Sequence, residues 1–138
     1  MYEIRIHGRG GQGAVMAGGI LATALVNEGK YVVAVPSFGF ERRGAPVVSF
    51  LRCSDREIRQ LTNIYTPDCL ICVDPTLAKT VDIFGGLKPG GTLVQATNKP
   101  LAEVALSPSV ATVGLCDAIG IALQIFSKPI TNTLMLGA

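Results

Sequence analysis

Apolar and polar positions along the chain predict a series of strands separated by turns. Residues 2–7 alternate between apolar and polar side chains, which is the pattern of a strand with one face buried. Five further strands are predicted from short runs rich in apolar and β-branched residues, at positions 31–35, 47–53, 69–73, 92–96 and 109–113. The run at 69–73 has the composition of a fully buried strand.

Helical patterns fall between these strands. Small and apolar residues run from about 14 to 28 and stop at Gly29, a favourable helix C-cap. Asp74 and Pro75 predict the start of a second helix that ends near residues 85–86, and residues 116–126 predict a third. This alternation predicts a single three-layer α/β domain over residues 1–138, Rossmann-like, with a mostly parallel sheet flanked by helices. Its first strand, helix and second strand predict a parallel pair with a right-handed crossover.

Composition and charge narrow the classes of function. Hydrophobic residues make up 49% of the chain and charged residues 16%, which fits either a sheet covered on both faces or a surface that a partner covers. The net charge is +2, without a Lys/Arg tract, which argues against a nucleic-acid partner. No stretch approaches the roughly 20 apolar residues of a membrane span, and the first residues lack a secretory pattern. We expect a cytoplasmic protein.

The four cysteines lie in apolar surroundings, which favours reduced thiols. Cys69 and Cys72 form a C-x-x-C, but both fall on the predicted buried strand. Residues three apart in a strand point to opposite faces, so this pair predicts neither a disulfide nor a metal site. We predict no metal bound by this chain.

A glycine-rich turn, GRGGQG at residues 8–13, follows the first strand and opens the first helix. It matches G-x-G-x-x-G, in which glycines let backbone amides approach a phosphate at a helix amino end. A nicotinamide site also needs an acidic residue at the end of the second strand, and residues 34–37 contain none. Two interpretations stay open: an anion site, or a tight turn that packs the helix on the sheet.

A second motif, PSFGFERRGAP at residues 36–46, follows the second strand. In a parallel pair it lies at the same carboxyl edge as the glycine turn, where open α/β sheets bind ligands. All seven arginines precede residue 60, and Arg9, Arg42 and Arg43 are expected to converge there, with Glu41 orienting one of them. The alternative is a solvated loop whose charges pair locally, contributing under about 1 kcal/mol.

The sequence shows no set of side chains typical of a catalytic site. His7 is the only histidine and lies at a strand end, which favours a structural role. There is no Ser–His–acid set, no pair of carboxylates at useful spacing and no Walker lysine in the glycine turn. We therefore predict no catalytic residue in this chain.

Five segments in this order resemble a known family. They are HGRGGQGA at 7–14, PSFGFERRGAP at 36–46, YTPD at 65–68, VDPT at 73–76 and PITNTLMLGA at 129–138. Together they resemble the gamma subunits of the 2-oxoacid:ferredoxin oxidoreductases, and among these the pyruvate:ferredoxin oxidoreductase (pyruvate synthase) type. Gamma subunits of this family continue beyond the last segment, so the resemblance implies C-terminal helices that this sequence lacks.

The resemblance implies an enzyme complex that converts pyruvate, coenzyme A and oxidised ferredoxin to acetyl-CoA, CO2 and reduced ferredoxin. Thiamine diphosphate and iron–sulfur clusters would belong to the partner subunits, alpha, beta and delta, with none held by this chain. The gamma subunit would contribute to coenzyme A binding and assembly, would be inactive alone, and would meet ferredoxin only through the complex. Isolated, its uncovered partner surface makes a homodimer an expectation.

The residues predicted to contact coenzyme A, or to dock on the catalytic subunits beside it, come from both motifs. They are Arg9, Gly10, Gly11, Gln12, Gly13, Ser37, Glu41, Arg42 and Arg43. Two other functions stay open at this point. One is a free-standing Rossmann-like oxidoreductase that binds a nucleotide, and the other is a purely structural subunit.

Overall fold

A computed structural model describes residues 1–37 and 43–138. Within these residues the chain forms six strands, three α-helices and two short 3-10 turns. In chain order the strands and α-helices are β1 (Tyr2–Arg9), α1 (Ala14–Asn27), β2 (Tyr31–Ser37), β3 (Pro46–Ser54), β4 (Cys69–Cys72), β5 (Gly91–Ala96), β6 (Val110–Cys116), α2 (Ala118–Phe126) and α3 (Asn132–Leu136). In the described part of the chain, no helix is long and apolar enough to cross a membrane.

The strands form one mixed sheet in the order β2-β3-β1-β4-β5-β6. Strand β3 is antiparallel to both of its neighbours, whereas β1, β4, β5 and β6 are parallel to one another. The α/β class with a mostly parallel sheet is thus confirmed, but the predicted parallel pair of β1 and β2 is wrong. Strand β3 lies between them. Because both are antiparallel to β3, β1 and β2 still run in the same direction and end at the same edge.

Helix α1 packs on the sheet through small residues. A methyl group on Gly18 would lie 2.6 Å from the hydroxyl of Ser49 on β3, so a larger side chain would push the helix away. The helix ends as predicted: Gly29 has φ 81°, and the amide of Lys30 donates to the carbonyl of Leu25 at 3.1 Å. This is a Schellman-type C-cap, which glycine adopts without strain.

The helix predicted after Asp74 is wrong. Only a 3-10 turn, Leu77–Lys79, forms there. Two aspartates compete with helix formation by accepting from amides two residues ahead, Asp74 from Thr76 at 2.8 Å and Asp82 from Phe84 at 3.1 Å. The segment is instead held by the burial of Leu77, which is 1% exposed, against the sheet.

Both faces of the sheet are covered. Ile6, Leu51 and Ile71 face α1, whereas Leu70 and Leu93 face the irregular segments on the other side. The two cysteines of the C-x-x-C separate in the same way, with Cys69 in the first cluster and Cys72 on the opposite face. Burial raises the pKa of each of these two thiols to about 11, so both stay protonated at neutral pH.

A network of ion pairs and hydrogen bonds lies at the edge of the sheet where β1 and β4 begin. Nε of Arg52, a residue only 4% exposed, donates to Glu3 at 2.9 Å, and its other nitrogens reach the carbonyl oxygens of Thr62 at 2.6 Å and Asn63 at 3.2 Å. The amine of Lys88 contacts Glu3 at 3.4 Å, while its bond to the Asp68 carboxylate is 2.9 Å. The network fastens the connection between β3 and β4 to the sheet.

His7 makes stability depend on pH. Burial and the charge of Arg5 lower its pKa from 6.5 to about 4, so the folded state favours the neutral ring. Between these two values the unfolded chain binds the extra proton. Stability should therefore fall as pH drops from 6.5 towards 4, by at most about 3 kcal/mol.

Urea unfolding at a series of pH values measures this effect, and His7→Gln is the matched variant. Carboxylates also titrate in this range, so the informative quantity is the difference in slope between the two proteins. We expect a shallower loss of stability for His7→Gln between pH 6.5 and 4. Equal slopes would contradict the assignment of this loss to His7.

Candidate functional site

The glycine turn lies where predicted, at the carboxyl end of β1 and the amino end of α1. Gly13, the N-cap residue, has φ 77° and supplies no side-chain cap, and the first turn of α1 has no acidic residue. The amino end of the helix is therefore electropositive and uncapped, which favours an anion. A cavity of about 280 Å³ lies here, between the turn, the first residues of α1 and Val47 of β3.

The glycines of the turn differ in their surroundings: one is tightly packed, and another faces open space. A methyl group on Gly8 would lie 2.7 Å from Val73 and 2.9 Å from Ala14, so this glycine lets α1 approach the sheet. Gly11 has φ 90° and faces open space, with no atom within 4 Å of the position of an added methyl group. Gly8 therefore fits the interpretation as a packing turn, and the open space at Gly11 leaves the anion site a prediction.

Arg9 is held by the protein itself. Its Nε donates to the Asp74 carboxylate at 3.0 Å, and its terminal nitrogens donate to the Thr76 hydroxyl at 3.1 Å and the Gly44 carbonyl at 3.2 Å. Arg9 thus braces the loops around the cavity and also lines it, and its contact with a ligand stays a prediction. The acid that orients it is Asp74, which the sequence suggested only as a helix cap.

Gln12 completes this brace. Its side-chain nitrogen donates to Asp74 at 2.8 Å, and its oxygen accepts from the amide of Arg9 at 2.7 Å. Burial alone would raise the pKa of Asp74, but hydrogen bonds from Thr76 and Gln12 and the charge of Arg9 lower it below its ordinary value. Asp74 is therefore an ionised anchor to which the turn is fixed.

The second motif meets the first at the carboxyl edge, as predicted. The amide of Gly10 donates to the carbonyl of Ala45 at 2.8 Å, and the amide of Gly44 donates back to Gly10 at 3.1 Å. The exposed Arg43 directly precedes Gly44 in the chain, so this pairing places its backbone near the glycine turn. Ser37 ends β2 at the same edge, opposite Val48 of β3. Glu41 and Arg42 lie outside the described residues.

A larger cavity, of about 520 Å³, was not predicted. It lies at the carboxyl ends of β4, β5 and β6, between residues 75–79, residues 97–105 and the first turns of α2. Thr76 belongs to its wall and also contacts Arg9, so the cavity adjoins the brace. The sequence held one signal for it, since Asp117 caps a helix directly after a strand, its carboxylate accepting from Gly120 at 3.0 Å.

Comparison with known proteins places the chain in a family. Residues 3–138 match the family described as pyruvate ferredoxin/flavodoxin oxidoreductase. The chain is 75% identical, over its full length and 73% of the relative, to the NADH-dependent phenylglyoxylate dehydrogenase subunit gamma of Aromatoleum evansii. It is 54% identical, over its full length and 76% of the relative, to the pyruvate/ketoisovalerate oxidoreductases common subunit gamma of Thermococcus kodakarensis.

Solved structures agree with these sequence relatives. The crystal structure of pyruvate oxidoreductase subunit PORC from Thermotoga maritima matches 99% of this chain and 72% of its own, with a TM-score of 0.84 and 39% identity. The gamma subunit of a keto/oxoacid ferredoxin oxidoreductase from Geobacter sulfurreducens matches 99% of this chain and 74% of its own, with a TM-score of 0.73 and 27% identity. The chain therefore belongs to the pyruvate ferredoxin/flavodoxin oxidoreductase family, as a gamma subunit of the 2-oxoacid oxidoreductases.

Proposed function

We propose that this chain helps a multi-subunit complex bind coenzyme A while the complex oxidises and decarboxylates a 2-oxoacid. The observation that carries the proposal is the uncapped amino end of α1, facing a cavity and framed by a braced glycine turn. Alpha, beta and delta subunits would supply thiamine diphosphate and the iron–sulfur clusters. In the described residues, no group of three or more His, Cys, Asp or Glu could hold a metal ion.

We propose different tasks for the predicted residues. Arg9 and Gln12 are bound to Asp74, so they would hold the turn in shape, and phosphate contact would come mainly from other groups. Those groups are the backbone amides around Gly11 and the exposed side chain of Arg43. A charge-assisted contact between arginine and phosphate contributes about 1.5–3 kcal/mol.

The substrate we propose is an aromatic 2-oxoacid of the phenylglyoxylate type. Its support is the 75% sequence identity to the Aromatoleum evansii subunit. The identity is lower to the gamma subunit from Thermococcus kodakarensis, at 54%, and to the pyruvate synthase subunit of Methanothermobacter marburgensis, at 47%. Pyruvate is the second candidate, supported by those relatives. The Thermococcus subunit is named as common to pyruvate and ketoisovalerate enzymes, so a gamma subunit there serves more than one substrate.

The test of this proposal is isolation of the complex from the native host under anoxic conditions with a tag on this chain. We expect a complex that reduces viologen when given coenzyme A and phenylglyoxylate. Pyruvate in place of phenylglyoxylate distinguishes the two substrates, and ferredoxin against NAD⁺ distinguishes the two acceptors. Recovery of the chain without partners or such activity would overturn the proposal.

Removing Arg43 should weaken coenzyme A binding. In the assembled complex we expect Arg43→Ala to raise the KM for coenzyme A about tenfold or more, with kcat little changed, because one charge-assisted contact is lost. Arg42→Ala is measured in parallel. Arg56→Ala is the matched control, since Arg56 is also exposed but follows the far end of β3. An unchanged KM in both Arg42 and Arg43 variants would exclude direct contact of these arginines with the ligand.

A further inference from the structure

The larger cavity has the position and size of a ligand site. It opens at the carboxyl ends of three neighbouring parallel strands, β4, β5 and β6, where open α/β sheets bind ligands. Its volume of about 520 Å³ is in the range of pockets that hold small organic molecules. The cavity does not include the glycine turn, so it stands apart from the site proposed for coenzyme A phosphates.

A side-chain amide faces the cavity. Gln95, near the end of β5, is only 6% exposed and lines the cavity. In the described ranges 1–37 and 43–138 its amide makes no hydrogen bond to the protein, but it is open to the cavity and is not sealed from solvent. A ligand that supplies both a donor and an acceptor can therefore pair with this amide in place of water.

The other side chains that line the cavity include both charged and apolar ones. Lys79 and Lys99 stand at the exposed rim, and α2 contributes the apolar side chains of Ile119 and Leu123. Two acidic residues also line the cavity. Asp117 is occupied as the cap of α2, and Glu103 is exposed at the rim. The site thus combines an amide edge, an apolar surface, two cations and two carboxylates, one of which caps α2.

We propose that this cavity binds an adenosine phosphate. The amides of Gln95 and Asn98 would pair with the donor and acceptor edge of the base, as Gln and Asn amides do with adenine elsewhere. The side chains of Ile119 and Leu123 cover the flat face of the base, and the two lysines meet the phosphates. This chemistry has two sources, a free adenine nucleotide or the adenosine end of coenzyme A. The proposal stands on the cavity alone and holds whether or not the glycine turn binds phosphate.

The experiment uses the assembled complex and 8-azido-ADP as a photoactivatable probe. We expect saturable labelling that ADP abolishes, with the labelled peptide containing residues 95–105 or 117–123. If coenzyme A also abolishes the label and phosphopantetheine does not, the adenosine end of coenzyme A occupies the cavity. If only ADP abolishes it, the cavity is a separate nucleotide site. No label in these peptides would overturn the proposal.

Two variants test the residues themselves. Gln95→Met keeps the side-chain volume and removes the unpaired amide, so we expect affinity for ADP to fall about tenfold while the thermal midpoint of the complex stays the same or rises. Lys99→Ala should also weaken ADP binding, and Lys128→Ala, outside the cavity, should not. Unchanged affinity in both Gln95→Met and Lys99→Ala would refute the proposal. A lower midpoint in Gln95→Met would show that the amide has a structural partner.

Discussion

Replacing Arg52 by Met should lower the free energy of unfolding by about 3–5 kcal/mol, the range seen when one partner of a buried ion pair is removed. Arg52 is 4% exposed and donates to Glu3 and to backbone carbonyls of the connection between β3 and β4. Methionine fills much of the same volume but donates nothing. Glu3 would lose its nearest cation, and the carbonyl oxygens of Thr62 and Asn63 would lose their donors. Urea unfolding measures the change as a lower midpoint with an unchanged slope.

Lys88→Met is the informative comparison, because Lys88 contacts the same carboxylate but its side chain is 40% exposed. We expect it to cost under about 1 kcal/mol, as for surface ion pairs. A second comparison combines Arg52→Met with Glu3→Gln, which removes the charge that Arg52→Met leaves behind. The double variant should lose less than the sum of the single losses. Strict additivity, or a loss for Arg52→Met no larger than that for Lys88→Met, would contradict a buried ionic anchor at this position.

Local sequence patterns predicted most of the strands and helices. Because β1 and β2 run in the same direction, the meeting of the two motifs at one edge of the sheet was also predicted. The alternation in β1, the small residues of α1 and Gly29 at its end each depend on nearby residues alone, and the structure confirms them. The strand that pairs with β1 could not be predicted in this way. An apolar run such as β3 has the same pattern whether it pairs parallel or antiparallel, so its insertion between β1 and β2 left no sequence signal.

The brace around the glycine turn escaped prediction for a related reason. Arg9 and Asp74 are 65 residues apart and meet only because β4 pairs with β1. Without that pairing, Arg9 resembles a free cation and Asp74 a helix cap. This contact matters for the site, since an arginine that was expected to bind a ligand also fixes the loop to the sheet. Arg43, Glu41 and Arg42 were predicted from the same motif, and of these three the structure describes Arg43, which is exposed.

Replacing Asp74 by Ala should damage stability and coenzyme A binding together. Asp74 is 8% exposed and accepts from Arg9, Gln12 and Thr76. Its loss leaves the guanidinium of Arg9 and the amide of Gln12 without their shared acceptor. We expect a loss of about 3 kcal/mol in the free energy of unfolding, from charge-assisted hydrogen bonds in a mostly buried place. In the assembled complex the KM for coenzyme A should rise at least about tenfold, because the turn loses its fixed shape.

Two variants separate the brace from a general effect of removing a charge. Asp55→Ala removes a carboxylate whose side chain is 84% exposed and which pairs with Lys30, so it should leave both the stability and the KM nearly unchanged. Asp74→Asn keeps the shape and one acceptor oxygen, so it should fall between wild type and Asp74→Ala in both measurements. A double-mutant cycle with Arg9→Ala then tests the pairing. We expect a coupling of about 1 kcal/mol or more. Independent effects would mean that Arg9 is free to meet the ligand, as the sequence alone suggested.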